Sequence, residues 1–167
     1  TPSTLKPGNA VVLAVKGNFS PSYLNFLLKK YPEEEIEAEL EAQIKKLKSA
    51  GIKISHIDGH QHIHMFPGVF EVVVKLANKY KIQFIRLPDE KLVLDNLFLG
   101  SLFDGQLIKK TVLSLFSYNK KKTLKENGLK TTDNFHGILS ANQLTFTKLA
   151  SVLKKVENGT SELICHP

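Results

Sequence analysis

A chain of 167 residues, 42% hydrophobic and 23% charged, has the composition of a soluble globular domain with a real core. Its single cysteine, Cys165, excludes an internal disulfide and any multi-cysteine zinc module, and fits a reducing, cytoplasmic setting. The net charge is +7, yet the densest basic block, "NKKKTLKENGLK" at 119–130, has no interleaved aromatics and reads as a solvated surface, so no nucleic-acid partner is expected.

No apolar run approaches the length that spans a bilayer, so no membrane association is expected. The opening "TPSTLKPGNA" lacks a basic start followed by an apolar stretch, and no secretory signal is visible in it. "AVVLAV" at 10–15 reads as a short strand or buried segment, broken afterwards by Gly17, Asn18 and Pro21. From Glu33 to about Ala50, "EEEIEAELEAQIKKLKSA" predicts a helix with Ile36, Leu40, Ile44 and Leu47 on one face. Its acids lead and its lysines follow, as the helix dipole favours, and Gly51 is placed to end it.

"IKISHIDGH" at 52–60 predicts a strand. Pro67 can open the next helix, continued by "VFEVVVKLANKYK". "IQFIRL" at 82–87 predicts another strand, stopped by Pro88. A helical region follows over roughly 92–126, then a strand at 129–135, an amphipathic helix at 141–158 and a last strand at 160–167. Strands alternating with helices imply βαβ units and a parallel sheet or barrel. In such folds function gathers at the C-terminal ends of strands, where His60 to His64, Arg86, the Asp133–His136 turn and His166 all fall.

The densest chemistry is "SHIDGHQHIHMFPG" at 55–68, with four of the six histidines and one acid, Asp58. Side chains on a strand alternate between faces. A strand running through residue 62 puts His56, Asp58, His60 and His62 on one face. Neutral imidazole is a common ligand for divalent metals, and residues at i and i+2 can share an ion or divide the work of binding and orienting it. A metal or catalytic site is expected here, with at least one ligand from another strand. His56, Tyr80, Phe84 and Phe135 are expected in the core, and a capped turn explains "TTDNF" at 131–135 at least as well as a site does.

"SHIDGHQHIHMFPGVFEVVVKLANKYKIQFIRLP" resembles the signature of the YdjC-like carbohydrate deacetylases, among them chitooligosaccharide deacetylase and the hopanoid-biosynthesis deacetylase-like proteins. The resemblance takes in the preceding helix, "IRLPDE", "TTDNFHGIL" and the closing "TSELICHP", from about Pro32 to Pro167. It implies an α/β fold, an incomplete or irregular (β/α) barrel with parallel strands. It implies removal of an N-acetyl group from a sugar or oligosaccharide with one divalent metal ion, Mg or Zn. By position, His60 falls on a metal ligand of the family, and His62 and His64 on its neighbouring histidines. Arg86 falls on the arginine after the next strand, and His166 on the histidine of the "HP" landmark. The roles implied are metal binding for His60, substrate binding for Arg86, His62 and His64, and catalysis for His166 and Asp58. Asp58 would orient a histidine or touch substrate.

Two family motifs do not occur in this chain: an opening strand ending Asp-Asp-Phe-Gly, and a later Gly-Ile-His-Leu-type motif. The expectation is therefore one domain over 1–167 that corresponds to the middle of such an enzyme, without the N-terminal strand–helix units or the C-terminal end. Three functions are expected in turn: a metal-dependent N-deacetylase, an inactive fragment or binding module of the same fold, and a metal-dependent phosphoesterase. An open barrel exposes sheet edges and apolar faces, so a homo-oligomer is expected.

Overall fold

The structure is a computed structural model that describes residues 14–15, 18–19, 32–90, 117, 119–138, 145–154 and 156–164. The chain divides into two compact units, 1–85 with 127–129, and 86–126 with 130–167.

In the first unit, β1 (Ala14–Val15) pairs antiparallel with β2 (Asn18–Phe19). Asn18, expected to break a strand, instead sits opposite Val15 in the return strand. The helix predicted from Glu33 is α1 (Glu33–Ser49), closed where the Gly51 amide meets the Lys48 carbonyl at 3.0 Å. Three acids in its first turn and Lys46 and Lys48 in its last match the dipole argument. Ile36 and Ile44 are buried as the stripe predicts, but Leu47 lies 44% exposed. Glu39 is buried instead, and accepts a hydrogen bond from Gln43 Nε2 at 2.8 Å.

The strand predicted at 52–60 is far shorter. Only β3 (His56–Ile57) is paired, parallel to β4 (Phe84–Ile85), with His56 opposite Phe84 and Ile57 opposite Ile85. Both His56 and Phe84 are exposed, against the expectation of core positions. The Ser55 hydroxyl lies 2.9 Å from His56 Nδ1. Between the two strands, a 3-10 turn (His60–Met65) leads into α2 (Val69–Tyr80), which begins just after Pro67. There the Gly68 N–H donates to the Glu71 carboxylate at 2.6 Å. Helix α2 carries most of this unit's core: Phe70, Val72, Val73, Leu76 and Ala77 are each at most 2% exposed. Glu71, Lys75, Asn78 and Lys79 lie exposed at helical spacing, so the helix is amphipathic, with one polar face and a broad apolar one.

Helices α1 and α2 pack together, and their exposed seam is charged. Glu37 receives Lys75 at 2.7 Å, and Glu41 receives Lys79 and the Tyr80 hydroxyl, each at 2.6 Å. Hydrogen bonds from Lys79 and Tyr80 hold the Glu41 carboxyl down at about 2, against its ordinary 4.5. A carboxyl depressed in the folded state contributes stability above its unfolded pKa and loses it as pH falls through the folded one. Glu41→Gln is therefore expected to flatten the fall in stability between about pH 4.5 and 2. Chemical denaturation at stepped pH measures this, and equal slopes for both proteins would count against it.

In the second unit, β5 (Asn134–His136) pairs parallel with β6 (Ser161–Leu163), Phe135 lying opposite Glu162. Helix α3 (Lys120–Glu126) precedes β5, and α4 (Phe146–Lys154) lies between the two strands in sequence. Phe135 and Ile138 form a buried cluster against Ile164. Phe135 is thus core, as expected. Asp133 clips the start of this ladder: its Oδ2 accepts the Thr160 N–H at 2.9 Å, while its own N–H donates to the Thr160 carbonyl. This contact spans 27 residues, so it joins the approaches to the two strands rather than capping a local turn in "TTDNF".

The described strands make three separate two-stranded ladders, two of them parallel. The architecture is mixed α/β with parallel strands. The expected helix over 92–116 and the end of the last strand, 165–167, lie outside the described residues.

Candidate functional site

The histidine-rich stretch does not stay extended. Gly59 is the last extended residue, with φ −114° and ψ 138°. Its carbonyl then accepts the His62 N–H at 2.7 Å, and its own N–H donates to Nδ1 of His64 at 2.9 Å. Both polar groups of Gly59 are thereby consumed within five residues, so the strand cannot continue. The alternation that would place His60 and His62 on one face with Asp58 ends at Gly59. His62 takes a left-handed backbone, φ 61°, which a residue with a Cβ adopts only where its surroundings enforce it.

The turn sorts the five side chains. His60 and His56 are exposed, whereas His62 and His64 are buried at 7% and 2% exposure. The imidazole rings of His62 and His64 meet edge to face at 6.2 Å between centroids. The Asp58 carboxylate, 28% exposed, stands 3.9 Å from Nδ1 of His62 and 3.7 Å from Nδ1 of His64. Both separations exceed hydrogen-bonding reach. The 2.9 Å contact from Gly59 therefore decides the state of His64: an accepting Nδ1 carries no proton.

A cleft of about 240 Å³ opens beside this turn. Asp58, His60 and His64 contribute from the turn side, and Ile36, Glu39 and Gln43 from α1. A mainly apolar cleft with a few converging polar groups is the usual form of a small-molecule site. Glu39 and Gln43 were not singled out from the sequence. Their signal was a polar pair four residues apart, between the buried Ile36 and Ile44 on the apolar face of the helix.

Arg86 belongs to the second unit and is held there. Its Nε donates to Glu162 Oε1 at 2.8 Å, its Nη2 reaches the same oxygen, and the guanidinium lies 5.9 Å from the Phe135 ring centroid. The guanidinium is thus engaged by a carboxylate and a ring of its own unit. His166 lies outside the described residues.

Among the described residues, no three His, Cys, Asp or Glu side chains are arranged to hold a metal ion. Exposed His60 offers one imidazole, short of the three or four protein ligands of a zinc site, while magnesium takes oxygen ligands, carboxylate and water, rather than imidazole. The described residues alone do not fit a closed metal shell. None of the described helices is long and apolar enough to cross a membrane.

The family model described as YdjC-like protein matches residues 2–167. A carbohydrate deacetylase of Thermoanaerobacter pseudethanolicus is 31% identical over 134 residues, covering 80% of this chain and 42% of that protein. One from Mus musculus is 30% identical over 146 residues, covering 80% of this chain and 45% of that protein. Over a shorter stretch of 55 residues, a carbohydrate deacetylase of Brevibacillus brevis is 46% identical, covering 33% of this chain and 22% of that protein. The chain thus spans less than half the length of these curated relatives. The crystal structure of an Enterococcus faecalis V583 protein described as a cellobiose-phosphate cleavage protein superposes with a TM-score of 0.67 at 20% identity. That match covers 99% of this chain and 55% of the other.

Proposed function

Because this chain belongs to the YdjC-like family, we propose that it contributes the His60 turn to a hydrolase that removes N-acetyl groups from a carbohydrate. The observation that supports the reading is the family match over 2–167, which includes the turn His60–Met65. The name shared by the curated relatives points to the same chemistry. An irregular (β/α) barrel, of which the parallel ladders would be parts, belongs to the same proposal.

Amide hydrolysis needs an activated water, a stabilised oxyanion and a proton for the departing amine. A divalent metal, Mg or Zn, is proposed as cofactor; when bound it would supply the Lewis acid. Asp58 and His60 are the groups of the turn that a substrate can reach, since both are exposed to the cleft. We assign His60 to the metal and Asp58 to orienting or accepting a proton beside it. His166 we assign to the proton of the leaving amine. His62 and His64, being buried, stand behind these groups, and Arg86 supports its own strand pair.

Acetate release from N-acetylglucosamine oligomers, with Mg or Zn added, tests the proposal. His60→Ala is expected to lower the rate at least a hundredfold, the scale set by loss of one metal ligand or its support. Equal rates in the two proteins would refute the assignment. Calorimetry with zinc alone reads the same residue without turnover. An alternative reading is a sugar-binding module of the same fold without turnover. Oligosaccharide binding with no acetate released would select it, and release of phosphate from a sugar phosphate would select a phosphoesterase. Self-association is part of the proposal and is read by light scattering. Phe146, Leu153 and Val156 on and just after α4 are exposed by 85%, 58% and 42%, which is apolar surface for such contact.

A further inference from the structure

We infer that His64 is the positioning residue of the His60 turn, acting through the Gly59 amide rather than on substrate. The inference rests on the reading of His60 given above. His64 is 2% exposed, and its Nδ1 accepts the Gly59 N–H at 2.9 Å. A neutral ring that accepts at Nδ1 holds its proton on Nε2, so the hydrogen bond also fixes the tautomer.

Three features make this contact the clasp of the turn. Gly59 immediately precedes His60, and its N–H and C=O are both engaged, so His60 departs from a fixed backbone. No side chain fits at residue 59: a Cβ there would lie 2.9 Å from His64 Nδ1 and 3.0 Å from His64 N. His62 holds a left-handed φ of 61°, a conformation that relaxes unless its surroundings over-determine it. The closure from Gly59 to His64 spans that residue. Release of the clasp frees φ at 62 and moves the backbone that carries His60.

Two substitutions separate the clasp from simple bulk. In His64→Asn the side-chain oxygen falls near the place of Nδ1 and can accept from Gly59. In His64→Gln the amide reaches the region of Nε2 and cannot. Amide hydrogen exchange at Gly59 reads the clasp, and zinc affinity by calorimetry reads the placement of His60. His64→Gln is expected to speed Gly59 exchange about tenfold and to weaken zinc binding by a similar factor, the scale of one hydrogen bond lost. His64→Asn is expected to stay within about threefold of the native chain on both, since the acceptor is restored. Unchanged Gly59 exchange in His64→Gln overturns the inference. So does faster exchange with unchanged zinc affinity, or loss of protection throughout α2 in both variants, which would make His64 a core residue only. If the native chain takes up no zinc, the His60 assignment fails by itself, and Gly59 exchange in the two variants still decides the clasp.

Discussion

Gly137→Ala is expected to destabilise the 86–167 part of the chain by about 2–6 kcal/mol, combining a strained backbone with overpacking. Gly137 has φ 112°, a region that L side chains rarely enter. An added Cβ would drive into the Ile164 carbonyl oxygen and sit 3.1 Å from Ile164 N. Backbone cannot rotate aside as a long side chain can. The same glycine donates its N–H to the buried Glu90 carboxylate at 2.9 Å, and the adjacent His136 carbonyl accepts the Ile164 N–H at 3.0 Å. A shift at Gly137 therefore disturbs the β5–β6 ladder and leaves the Glu90 carboxylate short of a donor. Urea unfolding followed by circular dichroism gives the number, and amide exchange on β5 and β6 gives its location. A midpoint equal to that of the native chain would show that Ile164 is not packed where the structure has it.

Phe70→Ala is expected to cost roughly 3–5 kcal/mol, the usual range for removing a buried phenyl ring. Phe70 is 2% exposed in a helix whose neighbours Met65, Val72 and Ala77 are wholly covered, so little can move in to fill the space. Phe146→Ala, at a phenylalanine 85% exposed, is the control and should fall within about 0.5 kcal/mol of the native chain. Denaturant midpoints for both variants, compared at equal slope, measure the contrast. Similar losses at the two positions would contradict the burial described. The effect at Phe70 bears on function, since α2 follows the His60 turn after only Phe66, Pro67 and Gly68.

How much of this was legible in the sequence varies with the range of the contacts. Helix α1 was readable to within a residue or two, because its acids, its lysines and Gly51 are local signals. The apolar run of α2 was readable for the same reason. The histidine stretch was misread because an alternating pattern describes a strand only while the backbone groups seek strand partners. At Gly59 a side chain five residues ahead takes the amide, and no two-residue period can register that. His56 and Phe84 were expected inside. They face each other at the first of the two paired positions of β3 and β4, and both are exposed. The Arg86–Glu162 pair joins residues far apart in the chain, and one sequence carries no sign of that partnership. Glu39 shows the reverse: an acid on an apolar helix face was there to be noticed, and its burial with Gln43 explains it.

Each parallel ladder unites strands that one helix separates in the chain, β3 with β4 across α2 and β5 with β6 across α4. The entropy of closing such a loop rises only logarithmically with its length, by about 0.6 kcal/mol per doubling, so these closures are inexpensive. Folding in either part can then start from the intervening helix, and the parallel pairing, which must wait for that crossover to form, closes later and more slowly.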